Sequence, residues 1–264
     1  MSVFRLPARL GAVLVLLCVG MLPLPSAAQS GAASAALTAS LQQVDSLRQA
    51  GDFAGALARL DSLHARSGAH PGILWRRSLT RVDRAKTVDD KDARTPLYEQ
   101  ALSDAKAALA ADSTSGHAHL AIAVAEGRLA LDAGTRERVR RSRAVKAHAD
   151  RALALDSTLA GAYHVRGRWH REVDDLGFFE RAIVKTVYGG LPDASFEQAV
   201  QDFRRAIDLE ERTFHYLELG KTYLTMDRPA EARQSLQAAV DAPNHDPFAP
   251  RYKEEARELL DDLD

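Results

Sequence analysis

The strongest constraint on how this chain can fold is a repeated spacing between small residues. Pairs of alanines lie seven positions apart at Ala101 and Ala108, at Ala199 and Ala206, and at Ala232 and Ala239. Seven residues make about two turns of an α-helix, so both members of a pair lie on one helical face. A face of small residues lets a neighbouring helix cross closely. The spacing therefore predicts an all-α chain of closely packed helices, which the abundant alanine and leucine also favour.

The distances between these pairs indicate a tandem repeat. Gly220 lies 12 residues before Ala232, as expected for the two helices of one unit. A step of 15 residues into the next unit occurs twice, from Ala108 to Ala123 and from Ala152 to Gly167. The segment "LELGKTYLTMDRPAEARQSLQAAVDAP" resembles a tetratricopeptide repeat, a pair of antiparallel helices in about 34 residues. We therefore predict a tetratricopeptide-like α-α superhelix; an irregular helical bundle with chance spacing is the alternative.

This register predicts about five helix pairs and one closing helix. The expected spans of the pairs are 38–66, 72–111, 116–155, 160–210 and 213–241. The first pair fits least well, because Leu63 stands where a small residue is expected. A helix near 249–262 has a polar face and would cap the array, since the terminal repeats of a stack need a solvated outer surface.

Three of the pairs are longer than the 12-residue spacing requires, and the excess always lies between the two helices of a pair. The separations are 22 residues from Leu79 to Ala101, 22 from Ala123 to Val145 and 32 from Gly167 to Ala199. The longest insertion holds "VDDLGFFERAIVKTVYGGLPDAS", residues 173–195. Its apolar residues have helical spacing and Gly189 is a natural helix stop. The insertion therefore predicts an extra helix of about three turns in the fourth pair.

The role of this insertion has two interpretations. Its helix either packs into the superhelix as core or forms a groove wall, a lid or a membrane-facing element. Phe178 and Phe179 decide between them, because they either finish a core or contact a partner. We therefore include both phenylalanines among the candidate partner-binding residues.

The N-terminus has the pattern of a secretory signal peptide. Arg5 and Arg9 precede the apolar run "GAVLVLLCVGMLPLP", and Ser26 and Ala28 fit a cleavage site after Ala28. The expected organisation is a signal peptide at 1–28, a disordered linker at 29–38 and a helical repeat domain at 39–264. The chain would then be exported to the periplasm. A retained membrane anchor is the alternative, although the run is short for a membrane span of about 20 residues.

Charge and composition exclude several classes of function. Cleavage would remove Arg5, Arg9 and Cys18 but no acidic residue, so the formal charge would change from −1 to −3. General nucleic-acid binding needs a basic surface and is therefore not expected. Cys18 is the only cysteine. The exported chain would have no disulfide and no thiol nucleophile.

The sequence also lacks the motifs of metal, phosphate or nucleophilic chemistry. His117 and His119 are two residues apart, so on a helix they diverge by about 200° and do not share a metal. The sequence contains no His-Glu-x-x-His, no calcium loop, no phosphate-binding loop and no Gly-x-Ser-x-Gly. We therefore expect no cofactor, no metal and no enzymatic activity.

The run "TRERVRRSRAVK" concentrates positive charge in one segment. Its cations are Arg136, Arg138, Arg140, Arg141, Arg143 and Lys146. Arginine forks suit phosphate and carboxylate groups. The run is either a solvated helix face with local ion pairs or a docking patch for anionic phospholipid headgroups or an acidic partner.

The sequence "HVRGRWHREVDDLGFFERAIVKTVYGGLPDASFEQAV" resembles the regulator of microtubule dynamics family. It contains that family's Arg-Gly-Arg-Trp motif, aromatic pair with following basic residues, and Gly-x-x-Pro connector. The matching residues are Arg166, Gly167, Arg168, Trp169, Leu176, Phe178, Phe179, Glu180, Pro192 and Ala199. The likeness covers about residues 95 to 260. It implies a helical repeat domain that works by binding and without catalysis.

Members of that family are associated with microtubules, and some with membrane contacts and phospholipids. An exported protein of a bacterial envelope meets no microtubules, so we expect the fold and groove to carry over without that partner. In stacked repeats the first helix of each pair lines the concave surface. On this register His164, Arg168 and Lys221 are candidates for polar contacts in the groove, whereas Trp169 is expected in the core.

We therefore expect a non-catalytic scaffold whose concave face binds a protein or peptide partner. The alternative is a lipid-binding or lipid-transfer module in which residues 173–195 line an apolar pocket. A continuous apolar cavity beside the inserted helix would favour the lipid interpretation. A polar open groove with a tightly packed insertion would favour the protein interpretation.

Overall fold

The computed structural model of this chain describes residues 27–263, and all regular structure within that range is helical. The helices are α1 (Ala27–Gln49), α2 (Phe53–Ser67), α3 (Pro71–Ala85), α4 (Lys91–Ala111), α5 (Gly116–Leu131), α6 (Thr135–Leu155), α7 (Ala160–Asp174), α8 (Phe178–Tyr188), α9 (Phe196–Leu209), α10 (Thr213–Thr225), α11 (Pro229–Asp241) and α12 (Ala249–Asp261). Residues 1–26, which hold nearly all of the predicted signal peptide, lie outside the described range.

The chain divides into two compact units. One is Ser40–Asp264 and contains the repeats; the other ends at Ala39, and its described part is the beginning of α1. Residues 29–38 lie within α1, so the structure differs from the disordered linker expected there. A short alanine-rich segment can be interpreted either as disordered or as helical. Alanine lacks the bulk to build a core, yet it has the highest helix propensity.

The predicted helix pairs are observed within the repeat unit. The packed pairs are α3 with α4, α5 with α6, α7 with α9, and α10 with α11, and α1 and α2 precede them in chain order in the position of the first pair. Helix α12 follows the fifth pair in the position of a closing helix and packs against α11 and α10. The architecture is a tetratricopeptide-like α-α superhelix, and α8 is the extra helix expected in the fourth pair. Gly189 ends α8 in the left-handed conformation, with φ 76°.

The two shorter insertions lengthen helices more than loops. Helices α4 and α6 have 21 residues each, whereas α2 has 15 and α11 has 13. The loop between α5 and α6 holds only residues 132–134. The basic run therefore becomes the first half of α6 rather than a loop.

Two turns between units repeat the same local geometry. After α4, the backbone N–H of Thr114 donates to Asp112 Oδ1 at 2.9 Å, and after α6 the N–H of Thr158 donates to Asp156 Oδ1 at 2.9 Å. The threonine hydroxyl donates to the same oxygen in both turns. Aspartate favours such turns because its short side chain bonds to the backbone two residues on. These turns start α5 and α7 in equivalent directions.

The small residues of the repeat lie where helices cross most closely. A Cβ on Gly220 of α10 would lie 2.7 Å from both Cγ and Cδ2 of Leu236 on α11. A Cβ on Gly167 of α7 would lie 3.1 Å from the ring of Phe203 on α9. Leu236 and Phe203 are fully buried. The spacing found in the sequence therefore marks the contact surfaces inside each pair.

Gly220→Ala should lower the free energy of unfolding by roughly 1–2 kcal/mol, because the clash with Leu236 exceeds the gain in helix propensity. Gly127→Ala on α5 is the matched control, since its Cβ would meet only Val145 Cγ2 at an ordinary 3.7 Å. That variant should gain about 0.5–1 kcal/mol. Urea unfolding of both variants tests the difference, and equal effects would contradict the close crossing.

Candidate functional site

The groove candidates Arg168 and Lys221 belong to one ionic network on the first helices of neighbouring pairs. Glu218 of α10 lies at its centre, 2.6 Å from Nη2 of Arg171 and 3.5 Å from Nε of Arg168 on α7. Lys221 lies 3.7 Å from Glu218 and forms a second ion pair with Glu255 of α12. The network thus connects α7, α10 and α12, and both candidate cations are paired within the chain.

Glu218 remains ionised although it is largely buried. Burial acts against its charged form, but the charges of Arg168, Arg171 and Lys221 outweigh burial and lower the pKa of its carboxyl. Arg168 also donates to Glu172 at 2.6 Å, one turn along α7. A partner that removed either cation from Glu218 would leave a buried carboxylate with weaker compensation.

The third groove candidate, His164, lies in an aromatic and histidine cluster. Its Nδ1 is 3.0 Å from Nδ1 of His215 on α10, and its ring contacts Phe203 and Phe214 edge-on. A hydrogen bond between the two rings requires one of them to accept, so that ring is neutral. Burial lowers the pKa of His164 well below 6.5 and that of His215 to about 3.

The segment before α12 reaches back to the first pair. The ring of Phe248 stacks on Phe53 of α2 with centroids 5.6 Å apart, and Lys86 Nζ lies 4.8 Å from the centroid of the same ring. Pro247 lies close to Gly51, which adopts a positive φ of 82°. The loop before α12 therefore contacts the first and second pairs, and the repeat unit closes on itself.

Five of the six cations in the basic run bond to groups of the chain. Arg141 pairs with buried Glu126 at 2.5 Å, and Arg140 pairs with Glu137 at 2.6 Å. Arg138 donates to the carbonyl oxygens of Ala130 and Ala133 at the end of α5. For these three arginines, the arrangement matches the interpretation of a helix face with local ion pairs.

Two other cations of the run hold neighbouring helices. Lys146 pairs with Asp150 at 2.5 Å and lies 5.5 Å from the ring centroid of Trp169. Arg143 donates to the carbonyl oxygen of Gly190 at 2.9 Å and also to that of Tyr188. It thereby ties the end of α8 to α6. Arg136 is exposed and makes no hydrogen bond or ion pair within the described residues.

Residues in and after the Arg-Gly-Arg-Trp motif hold the insertion where it leaves α7 and where it joins α9. Trp169 is 4% exposed and its indole N–H donates to the Ser142 carbonyl at 2.9 Å, so it lies in the core as expected. The backbone N–H of Phe196, where α9 begins, donates to Asp174 of α7 at 3.0 Å. Ser195 caps α9 by accepting from the N–H of Gln198 at 3.1 Å. The chain thus leaves and rejoins the repeat at fixed points.

The inserted helix α8 presents an apolar stripe to solvent. Phe179, Ile183 and Val187 are 80%, 53% and 64% exposed. They lie four residues apart and therefore on one side of the helix. Val184 points inward and is 8% exposed. The side chain of Phe178 is outside the described set, so only Phe179 of the aromatic pair can be located, and it does not complete a core.

An open cleft lies beside this stripe. It has a volume of about 460 Å³ and separates the first half of α6 from the end of α8. Its lining combines Val139 and Val187 with Arg136, Arg140 and Arg143. The mixed lining differs from the continuous apolar cavity that would have favoured the lipid interpretation.

The carboxylates that join the two helices of several pairs were not predicted from the sequence. Asp202 of α9 accepts two bonds from Arg166 of α7 at 2.8 and 2.6 Å. Asp104 of α4 pairs likewise with Arg77 and Arg81 of α3. A signal was present, because both aspartates lie three positions after the first alanine of a seven-residue alanine pair, Ala101 or Ala199. Arg166 of the Arg-Gly-Arg-Trp motif therefore forms an ion pair that joins α7 to α9.

No group of three or more histidine, aspartate, glutamate or cysteine side chains within residues 27–263 is placed to hold a metal ion. In the same part of the chain, no helix is long and apolar enough to cross a membrane.

Fold and register define a tetratricopeptide-like repeat protein. A solved tetratricopeptide-repeat protein of Thermus thermophilus is similar in fold, with a TM-score of 0.60 and 18% identity, over 84% of this chain and 99% of its own. The family model described as regulator of microtubule dynamics protein 1-3 matches residues 40–264. The chain therefore belongs to the regulator of microtubule dynamics family.

Curated relatives agree with this assignment. Regulator of microtubule dynamics protein 1 of Bos taurus is 27% identical over 224 residues, 83% of this chain and 70% of the relative. Regulator of microtubule dynamics protein 3 of Xenopus laevis is 28% identical over 180 residues, which are 67% of this chain. The match spans only 39% of the frog protein's length.

Stability should fall below pH 6.5 because of His215. Its pKa is about 3 in the folded chain and near 6.5 when unfolded, so the unfolded state binds more protons between these values. The free energy of unfolding should therefore lose about 1.5 kcal/mol from this group between pH 6.5 and pH 5. His215→Gln cannot titrate and should show a smaller loss in urea unfolding at the two pH values. An equal loss in both proteins would contradict this.

Arg143→Ala should loosen α8 without unfolding the repeats. The substitution removes the donors that hold the carbonyls of Tyr188 and Gly190, so amides of 178–190 should exchange hydrogen faster, by about tenfold. Hydrogen exchange read by mass spectrometry measures this. Arg136→Ala is the control and should leave that segment unchanged. Equal exchange in the two variants would show that Arg143 does not anchor the helix.

Proposed function

We propose that this protein is a non-catalytic scaffold that binds a protein partner through the outward face of α8. The observation that carries the proposal is the stripe of Phe179, Ile183 and Val187. Of the four most exposed large apolar side chains in the described part of the chain, three lie in this stripe. Exposed apolar residues scattered singly need no explanation, but a contiguous set indicates an interaction site.

The inner face supports partner binding less well. Arg168 and Lys221 are paired through Glu218 and Glu255, and His164 is hydrogen-bonded to His215. Phe248 contacts the first pair. A peptide on that face would have to displace several of these contacts and expose the charge of Glu218. The stripe on α8 requires no such rearrangement.

The family and the fold favour binding over catalysis. The microtubule in the relatives' names is a partner of those proteins, and we do not transfer it to this chain. If residues 1–28 act as a signal peptide, as the sequence predicts, the partner is an envelope protein. Sequencing of the mature N-terminus tests that location: a start at Gln29 supports export, and an intact Met1 argues against cleavage.

A photo-crosslinking residue at Ile183 should trap a protein partner in the native host. Ile183 is 53% exposed, so the replacement should leave the fold unchanged. The control is the same residue at exposed Lys106 of α4. We expect an adduct of defined mass at 183 that is absent at 106.

The nature of the adduct distinguishes the candidate functions. A single protein identified by mass spectrometry supports the scaffold. A lipid adduct at 183 would favour the lipid-binding alternative, and adducts at 106 and 183 in equal amounts would contradict a specific site. A second probe at Lys221 reports the inner face, and a protein adduct there alone would move the binding site to that surface.

A further inference from the structure

We infer that the stripe on α8 and the neighbouring cleft together receive an acidic amphipathic helix of a protein partner. This inference rests on the proposed scaffold function and specifies the chemistry of its partner. It follows from apolar contacts, a cleft and unneutralised positive charge that meet at one place on the surface.

The apolar part has the dimensions of a helix contact. Phe179, Ile183 and Val187 span nine residues of α8, or about 12 Å. Residues spaced in this way meet a partner helix whose apolar side chains recur every three or four positions. Val187 also lines the cleft, where Val139 of α6 supplies a further apolar contact. A side chain of a helix lying along α8 can therefore enter the cleft.

The charge around the stripe is positive and only partly compensated. Arg136 has no partner in the described part of the chain, and Arg143 donates to carbonyl oxygens rather than to a carboxylate. Glu180 is an exposed carboxylate on the stripe side of α8, so the excess positive charge lies on the α6 side of the cleft. Glu137 is the carboxylate in the cleft, and it is already bound to Arg140 and Arg141. The rim therefore favours carboxylates on the partner.

Other occupants match these features less well. A second copy placed symmetrically would bring the same cations against each other, and like charges in contact are unfavourable. A flat bilayer surface would cover the stripe but leave the cleft between α6 and α8 unfilled. A helix fills both the stripe and the cleft, and acidic flanking residues satisfy Arg136.

The test uses the full chain and three fluorescent helical peptides. The first has leucines every third or fourth residue with flanking glutamates, the second has glutamines in place of the glutamates, and the third has the first composition in scrambled order. Fluorescence anisotropy should show that the acidic amphipathic peptide binds roughly tenfold more tightly than the other two. Its affinity should decrease as salt increases.

Two variants assign the binding to this surface. Arg136→Glu should lower the affinity for the acidic peptide about tenfold. It should raise the affinity for a peptide with lysines in place of the glutamates. Ile183→Ser combined with Val187→Ser should weaken both the acidic and the glutamine peptides. Lys106→Glu reverses an exposed charge elsewhere and should change nothing. Circular dichroism and urea unfolding should be the same for all variants.

The outcomes separate this inference from the scaffold proposal. Equal binding of the acidic and glutamine peptides, or no effect of Arg136→Glu, overturns the acidic partner while a protein adduct at 183 still supports the scaffold. Binding to anionic vesicles with no binding to peptide overturns it in favour of a membrane. A doubled mass in light scattering that depends on Ile183 identifies a second copy instead. If no peptide binds and no protein adduct forms at residue 183, both proposals are wrong.

Discussion

The close crossing of the two helices in each pair controls the rest of this structure. At Gly220 and Gly167 the backbone of the first helix lies within van der Waals contact of a buried side chain on the second. Nothing larger than hydrogen fits there without displacement. The pair formed by α7 and α9 keeps this contact despite the residues inserted between them. The insertion therefore cannot enter the pair, and α8 lies outside it with one side toward solvent.

Buried ion pairs reinforce these crossings and account for the positions of several arginine side chains. Arg166 with Asp202, Arg77 with Asp104 and Arg141 with Glu126 each join the two helices of a pair. Such pairs add little net stability, but loss of one partner leaves a buried charge and is costly. They fix the orientation of a pair in which small apolar residues alone would allow sliding. The basic segment of α6 thus serves mainly to hold helices together.

The helix pairs could be predicted from sequence because close crossing requires small residues at a fixed spacing. The existence and end of α8 followed in the same way from its apolar spacing and Gly189. Periodicity does not tell whether an apolar side is covered, however, and among the described apolar side chains of α8 only Val184 is buried. The partners of His164 and Arg143 could not be predicted either. They are supplied by His215 and by carbonyls of residues 188 and 190, about 50 residues further along the chain.

The stacking of Phe248 on Phe53 has a consequence for the length of the array. Repeat proteins whose ends do not meet can gain or lose units with little effect on the others. In this chain the loop before α12 must reach Phe53, Gly51 and Lys86, so the number of units between them is fixed by geometry. Deleting or duplicating one pair would separate these contacts. The number of helix pairs in the array is therefore fixed. The last contacts of the array form only after the C-terminal segment has been synthesised.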